Sequence, residues 1–351
     1  MREYKKIGVW QTAFLGDAVL TLPLLRALKD RYPDAEIHFF VRAGVESVFA
    51  GQPEIAQVRP FAKRGAQKSL NAAVRLGWEI GREGFDLWIS THTSLRSALV
   101  AGATGIRRRI GYNRPWYNRL GYTETVDRRF GELAEIERLM ELGRPLGITG
   151  PAPEARLVLP EEAMRAADRF WKTSEFDRPV LGIHPGSTWP TKCWPEEYFS
   201  EIVRRAAAAG AHVLVFAGPG EEAVAAQVID RAQADPHRVT NLAGQLSLPE
   251  LAAYQGRLDA YLTNDSGPMH LAWTQDVPLV ALFGPTVESL GFFPRGGHST
   301  VLENNGLTCR PCGLHGPKKC PEGHFKCMHE LTPDRVWDAL RIKLGLSQEE
   351  L

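Results

Sequence analysis

Residues 258–286, LDAYLTNDSGPMHLAWTQDVPLVALFGPT, constrain the fold most. The apolar run Leu258–Thr263 stops at Asn264-Asp265-Ser266-Gly267-Pro268, a turn cluster that places a proline where a helix begins. A short helix carrying His270 leads into a second run, Val277–Phe283, closed by Gly284-Pro285-Thr286. Strand, polar turn, helix and strand make half of a doubly wound α/β unit. Ligands of such sheets lie outside the carboxyl ends of the strands, where free N–H groups at a helix start attract anions. Asp265, Ser266, Gly267 and His270 are therefore expected around one anion pocket. The plainer alternative is that Asp265 or Ser266 only caps the helix and His270 is a packed ring.

The alternation extends in both directions. In the first half, strands are expected at 5–11, 35–42, 55–61 and 85–91, with helices over 44–50, 69–82 and 94–102. A helix starting near Asp17 should run to about residue 30. Pro23 lies beyond its first turn and should kink it or move its start. The Pro/Gly-rich stretch GRPLGITGPAP marks the domain boundary, near 150–158. In the second half, strands at 179–184, 211–217 and 238–242 alternate with helices at 161–173, 195–209 and 248–255. A last helix starts at Thr332-Pro333-Asp334. The expected domains are 1–155 and 156–330, followed by a C-terminal helix within 331–351. A chain of 351 residues is comfortable for two α/β domains.

The formal net charge of +1 points to no particular partner, and no nucleic-acid partner is expected. Local clusters carry more information. Residues 106–129 read as an irregular basic loop with Arg107, Arg109 and Arg114 among seven arginines, interleaved with Tyr112, Trp116, Tyr117 and Tyr122. Arginine forks suit phosphate or carboxylate, and aromatic faces suit sugar rings or bases. Arg59, Lys63 and Arg64 form a smaller basic group. The alternative for both is a solvated loop. No 18-residue apolar run or signal-peptide pattern occurs, so a cytoplasmic protein is expected. Cys309, Cys312, Cys320 and Cys327 are spaced C-x2-C-x7-C-x6-C, which in a reducing compartment suggests a structural thiolate site for zinc or another metal. His315, His324 and His329 are alternative ligands, and a reduced, unmetallated cluster is the competing expectation.

Three polar loops of the second half fall at strand carboxyl ends. Residues 184–194 offer the Ser187 and Thr188 hydroxyls and the Lys192 ammonium. Residues 218–222 offer Glu221 and Glu222, suited to ribose hydroxyls, and 264–270 offer helix N–H groups. Together they describe a nucleoside-diphosphate pocket. Neither a G-x4-G-K-[ST] loop nor a G-x-G-x-x-G after the first strand occurs. In the first half, Asp17 stands where an N-cap belongs. A carboxylate at a helix start is favoured in its ionised form, as a general base requires.

The segments LGDAVLTLP at 15–23, HPGSTWPTKCWPEEYF at 184–199, and TNDSGPMHLA with PLVALFGPT resemble the ADP-heptose:lipopolysaccharide heptosyltransferases of glycosyltransferase family 9. The cysteine-rich segment resembles one found in many heptosyltransferase II-like members. The resemblance implies a GT-B fold, two Rossmann-like domains facing across a cleft, with the acceptor on the first and ADP-heptose on the second. It implies Asp17 as catalytic base and Lys192, with Ser187 and Thr188, on the donor diphosphate. Glu221 or Glu222 would bind the nucleoside, and Asp265, Ser266, Gly267 and His270 would line the phosphates. No metal or cofactor is implied for transfer. The implied acceptor bears anionic Kdo and lipid A phosphates, held by arginines of 107–129 and 59–64 at the inner face of the inner membrane. The expected reaction is inverting transfer of heptose to the lipopolysaccharide inner core. A nucleotide-sugar epimerase of the same architecture and a non-catalytic binder of anionic glycolipid are the two alternatives.

Overall fold

The computed structural model describes residues 3–62, 69–174 and 176–346, in two compact units, Met1–Pro160 and Glu161–Leu351. The first holds a six-stranded parallel sheet of β1 (Lys6–Gln11), β2 (Glu36–Arg42), β3 (Gln57–Phe61), β4 (Leu87–Ser90), β5 (Arg109–Tyr112) and β6 (Glu124–Val126), in the order β3-β2-β1-β4-β5-β6. Its helices are α1 (Leu15–Leu20), α2 (Leu22–Arg31), α3 (Leu70–Gly81), α4 (Leu95–Ala103), α5 (Asn118–Gly121) and α6 (Glu135–Glu141). The helix expected from Asp17 to residue 30 is two helices. The break falls at Thr21, and Pro23 sits at the start of α2, where a missing N–H loses no helical bond.

The second unit repeats the plan with β7 (Val180–His184), β8 (His212–Val215), β9 (Val239–Asn241), β10 (Ala260–Asn264), β11 (Leu279–Phe283) and β12 (Ser299–Glu303). Their order is β12-β11-β10-β7-β8-β9, again all parallel. The helices are α7 (Glu161–Ser174), α8 (Glu196–Ala208), α9 (Glu222–Ala232), α10 (Leu248–Gln255), α11 (Gly267–Trp273), α12 (Lys326–His329) and α13 (Pro333–Lys343). The central strands β7, β8, β10 and β11 are buried along their whole length, because a parallel sheet covered on both faces has no solvent side. Side-chain oxygens cap several helices. Ser94 accepts from Ser97 N, and Ser247 and Glu250 form a reciprocal capping box.

Three strands departed from the sequence reading. β5 and β6 lie inside the supposed basic loop, and β12 was not anticipated; β6 is only three residues long and β12 is half-buried. Among the described residues, no helix is long and apolar enough to cross a membrane.

Both sheets have the doubly wound order in which growth reverses once, between β1 and β4 and between β7 and β10. The core of the first unit packs at its reversal: Trp10 and Trp88 are fully buried side by side with Phe40 and Phe61. Gly8, on β1, faces this cluster, and a Cβ there would lie 2.4 Å from the Trp88 ring. Gly8→Ala is therefore expected to destabilise the protein by about 1–3 kcal/mol. The measurement is a lower urea midpoint at unchanged denaturant slope; an unchanged midpoint would show that the Trp88 packing yields freely.

Candidate active site

At the reversal in the first sheet, β1 ends at Gln11 and the chain turns into α1. Asp17 lies in the first turn of α1, half-buried, and its Oδ2 accepts from Phe14 N at 3.1 Å. It is thus the third helical residue reaching back, rather than the N-cap itself. Thr21 Oγ1 donates to the Asp17 carbonyl at 2.8 Å and takes a bond from buried Gln11, which fixes the turn. From the β4 side, the His92 ring bonds Thr12 Oγ1 at 3.1 Å and Ser97 Oγ at 3.3 Å.

An ion network influences Asp17 in a way its local sequence does not reveal. Arg128 Nη2 donates to both carboxylate oxygens of Glu135 at 2.8 Å, and Arg138 Nη1 reaches the same carboxylate at 3.1 Å. Glu135 and Arg138 are almost wholly buried, and the Arg138 guanidinium lies 4.3 Å over the Phe130 ring. Burial pushes the Asp17 carboxyl up to about 6 and the Glu135 charge adds to the rise, while Phe14 N–H and Arg128 pull the other way. A helix start favours the ionised form of a carboxylate. Desolvation wins instead, yet a carboxyl at about 6 remains ionised at neutral pH and is a far better base than an ordinary aspartate.

At the reversal in the second sheet, Asn264 ends β10 and clamps the loop after β7. Its Nδ2 donates to Pro185 O at 2.8 Å and its Oδ1 accepts from Trp194 N at 3.0 Å. Within this loop Lys192 is buried, and its Nζ donates to Asp265 Oδ2 at 2.5 Å. Thr286, from the turn after β11, donates to the same oxygen at 2.7 Å. Asp265 therefore holds the lysine rather than standing free. His270 is buried nearby; desolvation pushes its ring down to about 4, with Asp265 raising it and Lys192 lowering it. Burial therefore holds the imidazole in its neutral form.

The other donor-side candidates separate by exposure. Ser187, Ser266 and Gly267 are half-buried and Thr188 is exposed. Glu221 Oε2 accepts from Gly218 N at 3.0 Å and lies 3.4 Å from His184 Nε2. Burial raises its pKa, but His184 and the Gly218 N–H outweigh that and hold it below the usual range. Its carboxylate lies so close over Gly186 that a Cβ there would come within 2.4 Å. Glu222 is exposed, and its Oε2 accepts from Gly220 N at 2.8 Å.

Of the basic candidates, Arg107 and Arg114 are exposed. Arg109 bonds the carbonyls of Gly121 and Ile106, and Arg59 pairs with Glu83. Both of those guanidinium groups are engaged in holding the fold. Lys63 and Arg64 lie outside the described residues.

The expected metal site does not form among the described residues, where no group of three or more His, Cys, Asp and Glu side chains is placed to hold an ion. Cys327 turns into the apolar core against Met328 and Leu331, and burial pushes its thiol up to about 11. Cys312 Sγ donates to Cys309 O at 3.2 Å, and burial raises that thiol too. Cys309 and Cys320 are half-buried free thiols. His315 stacks on Trp189, and His324 Nδ1 accepts from Lys326 N.

The two doubly wound sheets thus carry the Asp17 carboxylate at one reversal and the buried Lys192 ammonium at the other. The family model for "Glycosyltransferase family 9 (heptosyltransferase)" matches residues 73–316, so the chain belongs to that family and is a glycosyltransferase. It is 26% identical to lipopolysaccharide heptosyltransferase 2 of Escherichia coli strain K12, over 97% of this chain and 98% of that protein. Its fold matches that of a family 9 glycosyltransferase from Veillonella parvula DSM 2008 with a TM-score of 0.85, at 24% identity and 98% coverage of both chains. It likewise matches the E. coli ADP-heptose lps heptosyltransferase II structure, with a TM-score of 0.76 and 24% identity over 99% of this chain and 100% of that one. These likenesses place the chain in the GT-B fold.

Asp17→Asn is expected to stabilise the protein at pH 8 by roughly 2–3 kcal/mol, the linkage equivalent of a carboxyl raised from its ordinary value to about 6. The gain should shrink as pH falls from about 6 to about 4, because the folded wild-type carboxyl is then protonated. Urea midpoints at pH 8 and pH 4.5 check this; equal differences at the two values would contradict it.

Proposed function

We propose that this chain transfers heptose from ADP-heptose to the inner core of lipopolysaccharide, inverting the anomeric configuration, with Asp17 as general base. The observation that carries the reading is Asp17 itself: a half-buried carboxylate at a sheet reversal, with a proton affinity raised to about 6. The names of the relatives supply the donor and acceptor classes. In the proposed step, Asp17 takes the proton of the acceptor hydroxyl as its oxygen attacks the anomeric carbon. The bond from that carbon to the diphosphate oxygen breaks, and ADP leaves with the electron pair. Lys192 and the hydroxyls of Ser187 and Thr188 offset the charge that develops on the diphosphate. Asp265, Ser266, Gly267 and His270 line that position, and Glu222, the more exposed of the acid pair, takes the nucleoside. On this reading the first unit binds the acceptor and the second binds the donor. No metal or organic cofactor enters the step.

Purified protein given ADP-heptose and a Kdo- or heptose-terminated lipid A acceptor should release ADP. Asp17→Asn should lower turnover about 100-fold or more while donor affinity stays within twofold. The wild-type kcat/KM should rise with an ascending limb near pH 6, and Glu135→Gln should move that limb to lower pH by removing a like charge. An unchanged rate in Asp17→Asn would remove it as the base.

The acceptor class also bears on location. Trp116 and Leu120 are about three-quarters exposed in the same short segment as the exposed Arg114 and Arg119, a combination suited to the interface of an anionic lipid surface. The protein should co-sediment with phosphatidylglycerol-containing vesicles but not with pure phosphatidylcholine. Trp116→Ala with Leu120→Ala should weaken that binding several-fold, and undiminished binding by the double variant would sink the assignment.

A further inference from the structure

Lys192 is held by a carboxylate that is itself held, and the chain of contacts leads into a segment that takes no part in the proposed chemistry. Asp265 Oδ2 receives two donors, Lys192 Nζ at 2.5 Å and Thr286 Oγ1 at 2.7 Å. Thr286 is almost unexposed, so water does not compete for its hydroxyl from bulk solvent. Its backbone is fixed from the other side: Arg310 Nη2 donates to Thr286 O at 2.7 Å. The same Nη2 also donates to the Glu303 carboxylate, and the other two nitrogens of that buried guanidinium bond Gly284 O and Asn304 O, so the turn 284–286 is tied to the end of β12. Two more contacts join the same segment to the site. Cys312 N donates to Pro285 O at 2.9 Å, and Thr191 Oγ1, next to the lysine, donates to Pro317 O at 2.5 Å.

A carboxylate oxygen shared between an ammonium and a hydroxyl cannot turn without breaking one of the two bonds. We propose that Thr286 is a positioning residue for Lys192: its hydroxyl fixes the Asp265 carboxylate, which in turn points the ammonium toward the leaving diphosphate. The ammonium has three protons, and among the described residues Asp265 is its one hydrogen-bond partner. Two protons therefore remain to meet phosphate oxygens, in directions set by the bond to Asp265. Removing the threonine hydroxyl frees the carboxylate to rotate and lets the lysine follow it. The proposal rests on the reading that Lys192 meets the donor diphosphate, and the experiment separates the two.

Calorimetric ADP affinity and steady-state kinetics would be measured for the full chain with Thr286→Val, Thr286→Ser, Lys192→Met and the Thr286→Val/Lys192→Met pair. Thr286→Val, which keeps shape but loses the hydroxyl, should weaken ADP binding roughly 5- to 20-fold. Thr286→Ser should restore it to within twofold of wild type. In the Lys192→Met background, Thr286→Val should have no further effect on ADP affinity, because no ammonium is left to position. A merely structural role predicts the same loss in both backgrounds, and that result would overturn the proposal. So would unchanged ADP affinity in Thr286→Val when Lys192→Met is weakened. Unchanged affinity in Lys192→Met would overturn the underlying reading of the lysine, and the proposal with it. Should Lys192→Met fail to fold, the Val–Ser pair decides alone: loss with Val and rescue with Ser supports the proposal, and equal affinities overturn it.

Discussion

A doubly wound parallel sheet leaves one place where neighbouring connections depart to opposite faces, and the loops on either side of it stay open at the carboxyl ends of the strands. Both sheets of this protein reverse once, between β1 and β4 and between β7 and β10. The segments that follow the strands at those reversals carry Asp17, in the first turn of α1, and His92 in one unit, and Lys192 and Asp265 in the other. Of the strands behind them, β4, β7 and β10 are buried throughout and β1 from Ile7 onward, so the connections are anchored on rigid elements while carrying polar groups.

Desolvation then treats similar side chains differently according to their neighbours. Asp17 has a backbone N–H and a distant arginine in its favour, with Glu135 against it, and its proton affinity rises. Asp265 sits beside an ammonium and a hydroxyl that both donate to it, a buried pair in which each charge compensates the other. His270, buried close by, is pushed toward its neutral form. In the second unit the Lys192 ammonium is thus held in place by its own counter-ion. The Arg128–Glu135–Arg138 network does comparable work in the first unit, where the Tyr112 face lies under the partly exposed Arg128 guanidinium and the Phe130 face under the buried Arg138 guanidinium.

The alternation of apolar runs and polar turns was legible because parallel strands are continuous hydrophobic stretches bounded by Gly, Pro, Asp and Ser. Among the short or half-buried strands the pattern was uneven: β3 and β9 were legible from the turns around them, whereas β6, of three residues, and β12, half-exposed along its length, lack the apolar run by which β7 or β11 is recognised. The loops bearing Asp17, Lys192 and Asp265 were visible as turn chemistry. Thr286 was visible only as the end of a turn, and Arg310 only as a residue between two cysteines. What each holds depends on contacts 21 and 24 residues away along the chain. The cysteine spacing pointed to a metal site, but spacing cannot show that Cys327 turns inward with the core.

By itself the sequence determined the two α/β halves, the polar loops at their strand ends, and which side chains could serve an anionic donor and a base. Those follow from local periodicity and turn chemistry, which neighbouring residues settle among themselves. Only the tertiary structure decided that Asp17 binds its proton more tightly than an ordinary aspartate, that Asp265 serves the lysine beside it, and that the arginines at 59 and 109 brace the fold. Those outcomes depend on burial and on partners far off in the chain, and neither quantity exists until the sheets have formed.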